Sequence, residues 1–103
     1  MAVLHLDRGS FDRLVGESGK TLLIDFWATW CGPCQKLAPE LEALAAEHPE
    51  IVVGKVDVDR EPELAAKMMV DTIPALFLFR DGQAVKRLVG YMSKDELARQ
   101  LGL

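Results

Sequence analysis

Residues 21–28 read Thr-Leu-Leu-Ile-Asp-Phe-Trp-Ala, apolar almost without a break and rich in β-formers. An amphipathic strand alternates apolar and polar residues, whereas this one leaves no face for solvent, so both of its faces must be covered. Ile51 to Val58 is a second strand of the same kind. Between them Leu37, Leu41 and Leu44 mark one side of a helix that ends near His48-Pro49. Two buried strands joined by a helix form a parallel crossover unit, which requires a sheet with helices packed on both faces.

The rest of the chain extends this pattern. Val3 to Leu6 is a short apolar run. Ser10 is the expected cap of a helix that carries Phe11, Leu14 and Val15 on one face, and Gly19 is its expected end. Pro62 opens a short helix with Leu64 and Met68 one turn apart. Ala75 to Phe79 and Gln83 to Val89 flank Arg80-Asp81-Gly82, and Asp-Gly is a strong hairpin signal. Ser93-Lys94-Asp95-Glu96 has the form of a capping box, followed by Leu97 and Leu101. The expected order is β-α-β-α-β-α-β-β-α, an α/β fold with a mixed central sheet. No linker or repeat divides the 103 residues, so one domain spanning 1–103 is expected.

Charge and cysteine content narrow the function. Twelve Lys and Arg against 16 Asp and Glu give a formal charge of −4. Nucleic-acid binding, which needs clustered cations, is not expected. No apolar run approaches the ~20 residues of a membrane span. The start of the chain lacks the features of a secretory signal, so the expected location is cytoplasmic. The two cysteines, Cys31 and Cys34, are too few for a disulfide framework. With them only His5 and His48 could complete a zinc site, and these histidines lack the spacing of a zinc pair; no metal is expected.

Trp30-Cys31-Gly32-Pro33-Cys34 follows the buried strand directly and opens the helix. One helical turn places the two Cα atoms about 5–6 Å apart, within disulfide reach. The helix start offers Cys31 unpaired N–H groups and the positive end of the dipole, both of which favour a thiolate. Pro33 suits a first turn, and Cys34 is expected to be the more shielded thiol. Inert core thiols are the alternative, but Cys-x-x-Cys at a strand-to-helix junction points to redox chemistry. Asp25 interrupts the apolar strand. It either reaches solvent at an edge or is a buried carboxyl with a raised pKa, able to move a proton for a neighbouring thiol. Lys55, equally out of place in its strand, either extends its ammonium toward Asp25 or snorkels at an edge. Pro39 lies inside the long helix and is expected to kink it.

The run Asp25-Phe26-Trp27-Ala28-Thr29-Trp30-Cys31-Gly32-Pro33-Cys34, with Pro39 downstream, resembles the active-site stretch of the thioredoxin family. Lys55-Val56-Asp57-Val58-Asp59, Ile73-Pro74, Phe79-Arg80-Asp81-Gly82, and Gly90 before Ser93-Lys94 match later landmarks, so the resemblance covers essentially the whole chain. It implies the thioredoxin fold and protein-disulfide reductase activity. Cys31 would be the attacking thiol, Cys34 the resolving thiol, Asp25 the buried proton-transfer group and Lys55 its modulator. Thioredoxin is itself the standard example of a lowered thiol pKa in this motif. The resemblance also implies a cis Ile73–Pro74 bond facing the disulfide, with Ile73 offering backbone hydrogen bonds to an extended substrate. Trp30, Gly32, Pro33, Val89 and Gly90 would complete an apolar docking surface. No bound cofactor is implied, because the Cys31–Cys34 pair is the redox centre. An NADPH-dependent thioredoxin reductase would restore its electrons, disulfide-bearing proteins would be the substrates, and the chain would act as a monomer. The rival reading is a thioredoxin-like scaffold subunit whose redox role is secondary.

Some positions depart from the family pattern. Tyr91 stands where a small residue is common, so it would narrow or extend the docking surface. Met69 and Asp71 replace a frequent Gly and a basic residue; Met69 lacks glycine's tolerance of positive φ, and Asp71 would bring negative charge near the site. Ala75 stands where Thr often follows the proline.

Overall fold

The structure is a computed structural model that describes residues 3–17 and 19–103. Among these residues the order is β1 (Val3–His5), α1 (Arg8–Gly16), β2 (Thr21–Trp27), α2 (Gly32–Glu47), β3 (Val52–Asp57), α3 (Pro62–Lys67), β4 (Ala75–Arg80), β5 (Gln83–Val89) and α4 (Lys94–Leu101). The strands form one sheet in the order β1-β3-β2-β4-β5. β3 is parallel to both β1 and β2, while β4 is antiparallel to β2 and to β5. The element order and the mixed sheet are those expected from the sequence.

The continuous apolarity of β2 is explained by two separate cores. Leu22, Ile24 and Phe26 pack on one face with Phe11 of α1 and Leu64 and Ala65 of α3. Leu23 points to the other face, with Leu37, Leu41 and Leu44 of α2 and Leu97 and Leu101 of α4. Asp25 shares the Leu23 face by strand alternation, so it lies under α2, the helix that begins at the cysteine pair.

Several boundaries differ from expectation. Asp7, not Ser10, caps α1. Its Oδ1 accepts the Ser10 N–H at 2.8 Å, and the Ser10 Oγ accepts the Asp7 N–H at 2.9 Å, a reciprocal box that starts the helix earlier. Gly19 does not end α1, which stops at Gly16. Gly19 adopts a φ of +77° and donates its N–H to Asp81 Oδ1 at 2.8 Å, tying this loop to the hairpin. Asp81 and Gly82 both have positive φ and join Arg80 to its partner Gln83, the two-residue turn that Asp-Gly favours. At α4 only half of the expected capping box forms: Ser93 Oγ accepts the Glu96 N–H, while the Glu96 carboxylate turns to Arg99 and Gln100 instead of back to the Ser93 N–H. α2 runs on through Pro39 to Glu47.

Candidate active site

The carboxyl end of β2 delivers the redox pair. After Trp27 the chain turns, with the Cys31 N–H donating to the Ala28 carbonyl at 3.2 Å, and Cys31 becomes the N-cap of α2. Its φ of −90° and ψ of 112° are extended, as an N-cap requires, and Pro33 fills the first turn. The Cys31 Sγ accepts the Cys34 N–H at 3.2 Å, so one of the helix's unpaired donors points at the sulfur. The cysteines are joined as a disulfide with Cα atoms 5.2 Å apart. Cys31 is 6% exposed and Cys34 1%. The order of shielding is as expected, though both lie almost covered, with Trp27, Val58 and Ile73 packed round them.

Other strand ends close in on the pair. The Ile73–Pro74 bond is cis, and the Ile73 carbonyl oxygen lies 3.9 Å from Cys31 Sγ. Pro74 is buried, and its carbonyl accepts the Gly90 N–H at 2.8 Å. That bond fixes the β5–α4 loop against the segment before β4. Gly90 has a φ of +96°, a conformation that favours glycine. Beside it Val89 and Tyr91 are exposed apolar side chains. Trp30, 69% exposed, stands on the other side and donates its indole N–H to Asp59 Oδ2 at 2.8 Å. Asp59 is a site neighbour to which sequence reasoning assigned no role. The available signal was register: Trp27 pairs with Asp57, so the residues beyond both strand ends become neighbours. Gly32 and Pro33 form, with Gln35, Lys36 and Tyr91, an open cleft of about 650 Å³ beside the disulfide.

Asp25 is completely buried and does not sit at an edge. Neither carboxyl oxygen has a hydrogen-bond partner among the described residues. Burial pushes its pKa up from 3.8 to about 7, and the positive charge of Lys55 pulls against that rise. Lys55 pairs with Asp25 in the β2–β3 register. No ion pair joins them, however; the ammonium lies over the Trp27 ring, 4.3 Å from its centroid. Of the two placements expected for Lys55, the edge one is corrected: β3 lies between β1 and β2 and Lys55 is buried, its charge reaching Asp25 without a direct ion pair. An indole face is a favourable seat for a buried ammonium, and from there Lys55 acts on Asp25 through space only. His5 meets the same indole edge-on.

Met69 does adopt the positive φ, 58°, for which glycine is better suited, and it is 75% exposed. Arg87 donates to the Met69 carbonyl at 3.2 Å and lies 3.7 Å from an Asp71 carboxylate oxygen. The negative charge expected of Asp71 is thus partly offset. Among the described residues no group of three or more His, Cys, Asp or Glu side chains could hold a metal ion. No helix among them is long and apolar enough to cross a membrane.

Residues 2–102 match the family model described as Thioredoxin. The thioredoxin of Mycobacterium tuberculosis (strain H37Rv) is 48% identical over 101 residues, covering 97% of this chain and 87% of its own. That of Staphylococcus aureus (strain N315) is 48% identical over 102 residues, covering 98% and 96%. A "Bifunctional thioredoxin reductase/thioredoxin" of Mycobacterium leprae is 50% identical over 99 residues, 95% of this chain and 22% of that protein. A solved structure from work on the "thiol resolving mechanism in yeast mitochondrial 1-Cys peroxiredoxin via glutathione/thioredoxin systems" superposes with a TM-score of 0.87. It is 30% identical, with 98% of this chain and 94% of that one covered.

Proposed function

The chain belongs to the thioredoxin family and is a protein-disulfide reductase, and we propose that Cys31 is its attacking thiol and Cys34 its resolving thiol. The observation that carries this division is the helix start: the Cys34 N–H points at Cys31 Sγ, while Cys34 lies one turn in and is fully covered. The N–H and the helix dipole stabilise negative charge on Cys31, the form that attacks. Its sulfur bonds to one sulfur of a substrate disulfide and breaks the S–S bond, and the departing substrate thiolate takes a proton from water. Cys34 then gives its proton to the Asp25 carboxylate and attacks Cys31 Sγ. The mixed disulfide breaks, the second substrate thiolate leaves, and Cys31–Cys34 becomes the disulfide seen in the structure. Two electrons have passed from the dithiol to the substrate. Lys55 modulates the proton affinity of Asp25 from its place over Trp27.

An extended substrate segment docks across Ile73 and Pro74, flanked by Trp30, Gly32, Pro33, Val89, Gly90 and Tyr91. An NADPH-dependent thioredoxin reductase returns the electrons; the two-part name of the Mycobacterium leprae relative supports a partner of this kind. No bound cofactor is required, because the electrons reside in the cysteine pair. The chain works as a monomer in the cytoplasm as a single domain. The test is capture of the mixed disulfide. Cys34→Ser incubated with a disulfide protein should accumulate a covalent adduct through Cys31, and Cys31→Ser should accumulate none. An adduct carried by Cys34 would reverse the roles. A Cys31→Ser protein with full biological activity would favour the scaffold reading.

A further inference from the structure

The docking rim is unlike on its two sides. On one side stand Trp30 and the Asp59 carboxylate that holds it. On the other lies the cleft between the first turn of α2 and the β5–α4 loop, lined by Gly32, Pro33, Gln35, Lys36 and Tyr91. Its polar groups differ in how they are engaged. The Gln35 amide is spent on the Thr29 carbonyl, at 2.7 Å. Glu40, one helical turn beyond Lys36, accepts the Lys94 N–H at 2.7 Å, and Lys94 is further paired with Glu47. Lys36 is the one charged residue of the lining, it is exposed, and no ion pair engages it among the described residues. Opposite it Tyr91, 47% exposed, offers the face and edge of a ring.

We propose that the Tyr91–Lys36 cleft is a specificity subsite that takes an acidic side chain, best a glutamate, flanking the attacked cysteine of the substrate. This rests on the reductase reading of the Cys31–Cys34 pair. The carboxylate meets the Lys36 ammonium, and the glutamate's methylene stem lies against Tyr91 and Pro33. Charge complementarity argues for this occupant: in a chain of net charge −4, with Asp59 across the rim, the cleft presents a lone cation. A lysine-flanked cysteine gains nothing there and meets repulsion from Lys36. Because Lys36 is exposed, the preference is modest and salt-sensitive.

The experiment uses three peptides, identical except for Glu, Gln or Lys beside a cysteine held in a mixed disulfide, with hydroxyethyl disulfide as an uncharged small substrate. The reduced protein, in single-turnover reactions, should consume the Glu peptide with a second-order rate constant about two- to fivefold above that for the Gln peptide, the ratio expected of one exposed ion pair. The Lys peptide should be the slowest. Raising the salt toward 0.5 M should shrink the Glu-to-Lys ratio, Lys36→Gln should abolish it and Lys36→Glu should invert it. Each ratio is taken within one variant, so a general loss of activity cancels. Equal rates for the three peptides, or a ratio that survives Lys36→Gln, overturns the subsite and leaves the reductase reading standing. No reduction of hydroxyethyl disulfide or of any peptide overturns both.

Discussion

Replacing Asp25 by asparagine should make the protein more stable and the enzyme slower. The carboxyl is wholly buried, and its oxygens have no hydrogen-bond partner among the described residues. Its pKa of about 7, against 3.8 ordinarily, means that the ionised form is less favourable in the folded than in the unfolded chain. At about 1.4 kcal/mol for each tenfold change in proton affinity, the difference is roughly 4 kcal/mol, a ceiling that relaxation around the charge would lower. The sign follows from where the proton resides. Below about pH 3.9 the group is protonated in both states and contributes no difference. Between there and about pH 7 the unfolded chain has lost the proton that the folded chain keeps, so stability falls as pH rises. Above about pH 7 both states are ionised and the cost is constant.

Asparagine keeps the volume and cannot ionise. The variant should match the parent near pH 4 and exceed it at pH 8 by up to roughly 4 kcal/mol, most of the gain arriving between pH 4 and 7. Urea melts at each pH give the difference directly. Turnover should fall near neutral pH, because Cys34 would lose its proton acceptor in the resolving step. An Asp25→Asn protein less stable than the parent at pH 8, or a margin independent of pH, would refute the buried-acid reasoning.

In the reduced protein, brief iodoacetamide treatment at neutral pH should label Cys31 far ahead of Cys34, as read by peptide mass mapping; equal labelling would refute the assigned roles. Met69→Gly should stabilise the protein by about 1 kcal/mol, read as a higher urea midpoint, since the left-handed backbone there disfavours a side chain and the Met69 side chain is largely exposed. An unchanged or lower midpoint would mean that the Met69 side chain makes a contact worth as much. Gly54→Ala should destabilise by about 1–2 kcal/mol, because a Cβ there would come within 2.6 Å of Leu6 Cδ1 at the centre of the parallel strands. A melt within error of the parent would show that Leu6 moves aside freely.

The sequence made the sheet legible where burial dictates composition. β2 is apolar except at Asp25 because it has a core on each face, and the Asp81-Gly82 turn is written in residue types that accept its positive φ values cheaply. Local competition was harder to read. Asp7 and Ser10 are both good caps, and only the three-dimensional box shows that they cap each other's backbone. Side-chain direction was harder still. Register places the Asp25 and Lys55 Cα atoms side by side, yet a lysine has several torsions to spend, and here they carry the ammonium to the Trp27 ring. The bond from Trp30 to Asp59 depends on where two loops travel after their strands end, which no periodicity records.

Strand direction explains why the chemistry gathers at one edge. β2 and β3 are parallel, so Cys31 and Asp59, which follow them, emerge on the same side. β4 runs the opposite way and so presents its beginning there, which is where Ile73 and Pro74 lie. β5 reverses again, and its end pairs Val89 with Ala75, bringing Gly90 and Tyr91 to that edge. Four strands thus set the rim, while the thiol centre depends on two of its features: the N-cap of α2 and the carboxyl buried beneath it. A substitution in the β5–α4 loop, such as the tyrosine at 91, reshapes the cleft beside Pro33 without touching either feature. On the docking surface proposed above, substrate preference should vary with the residue at position 91 while the Cys31–Cys34 exchange stays intact. On the same grounds, changes at Asp25 should move the rates on all disulfides together, and changes at Tyr91 or Lys36 should reorder them.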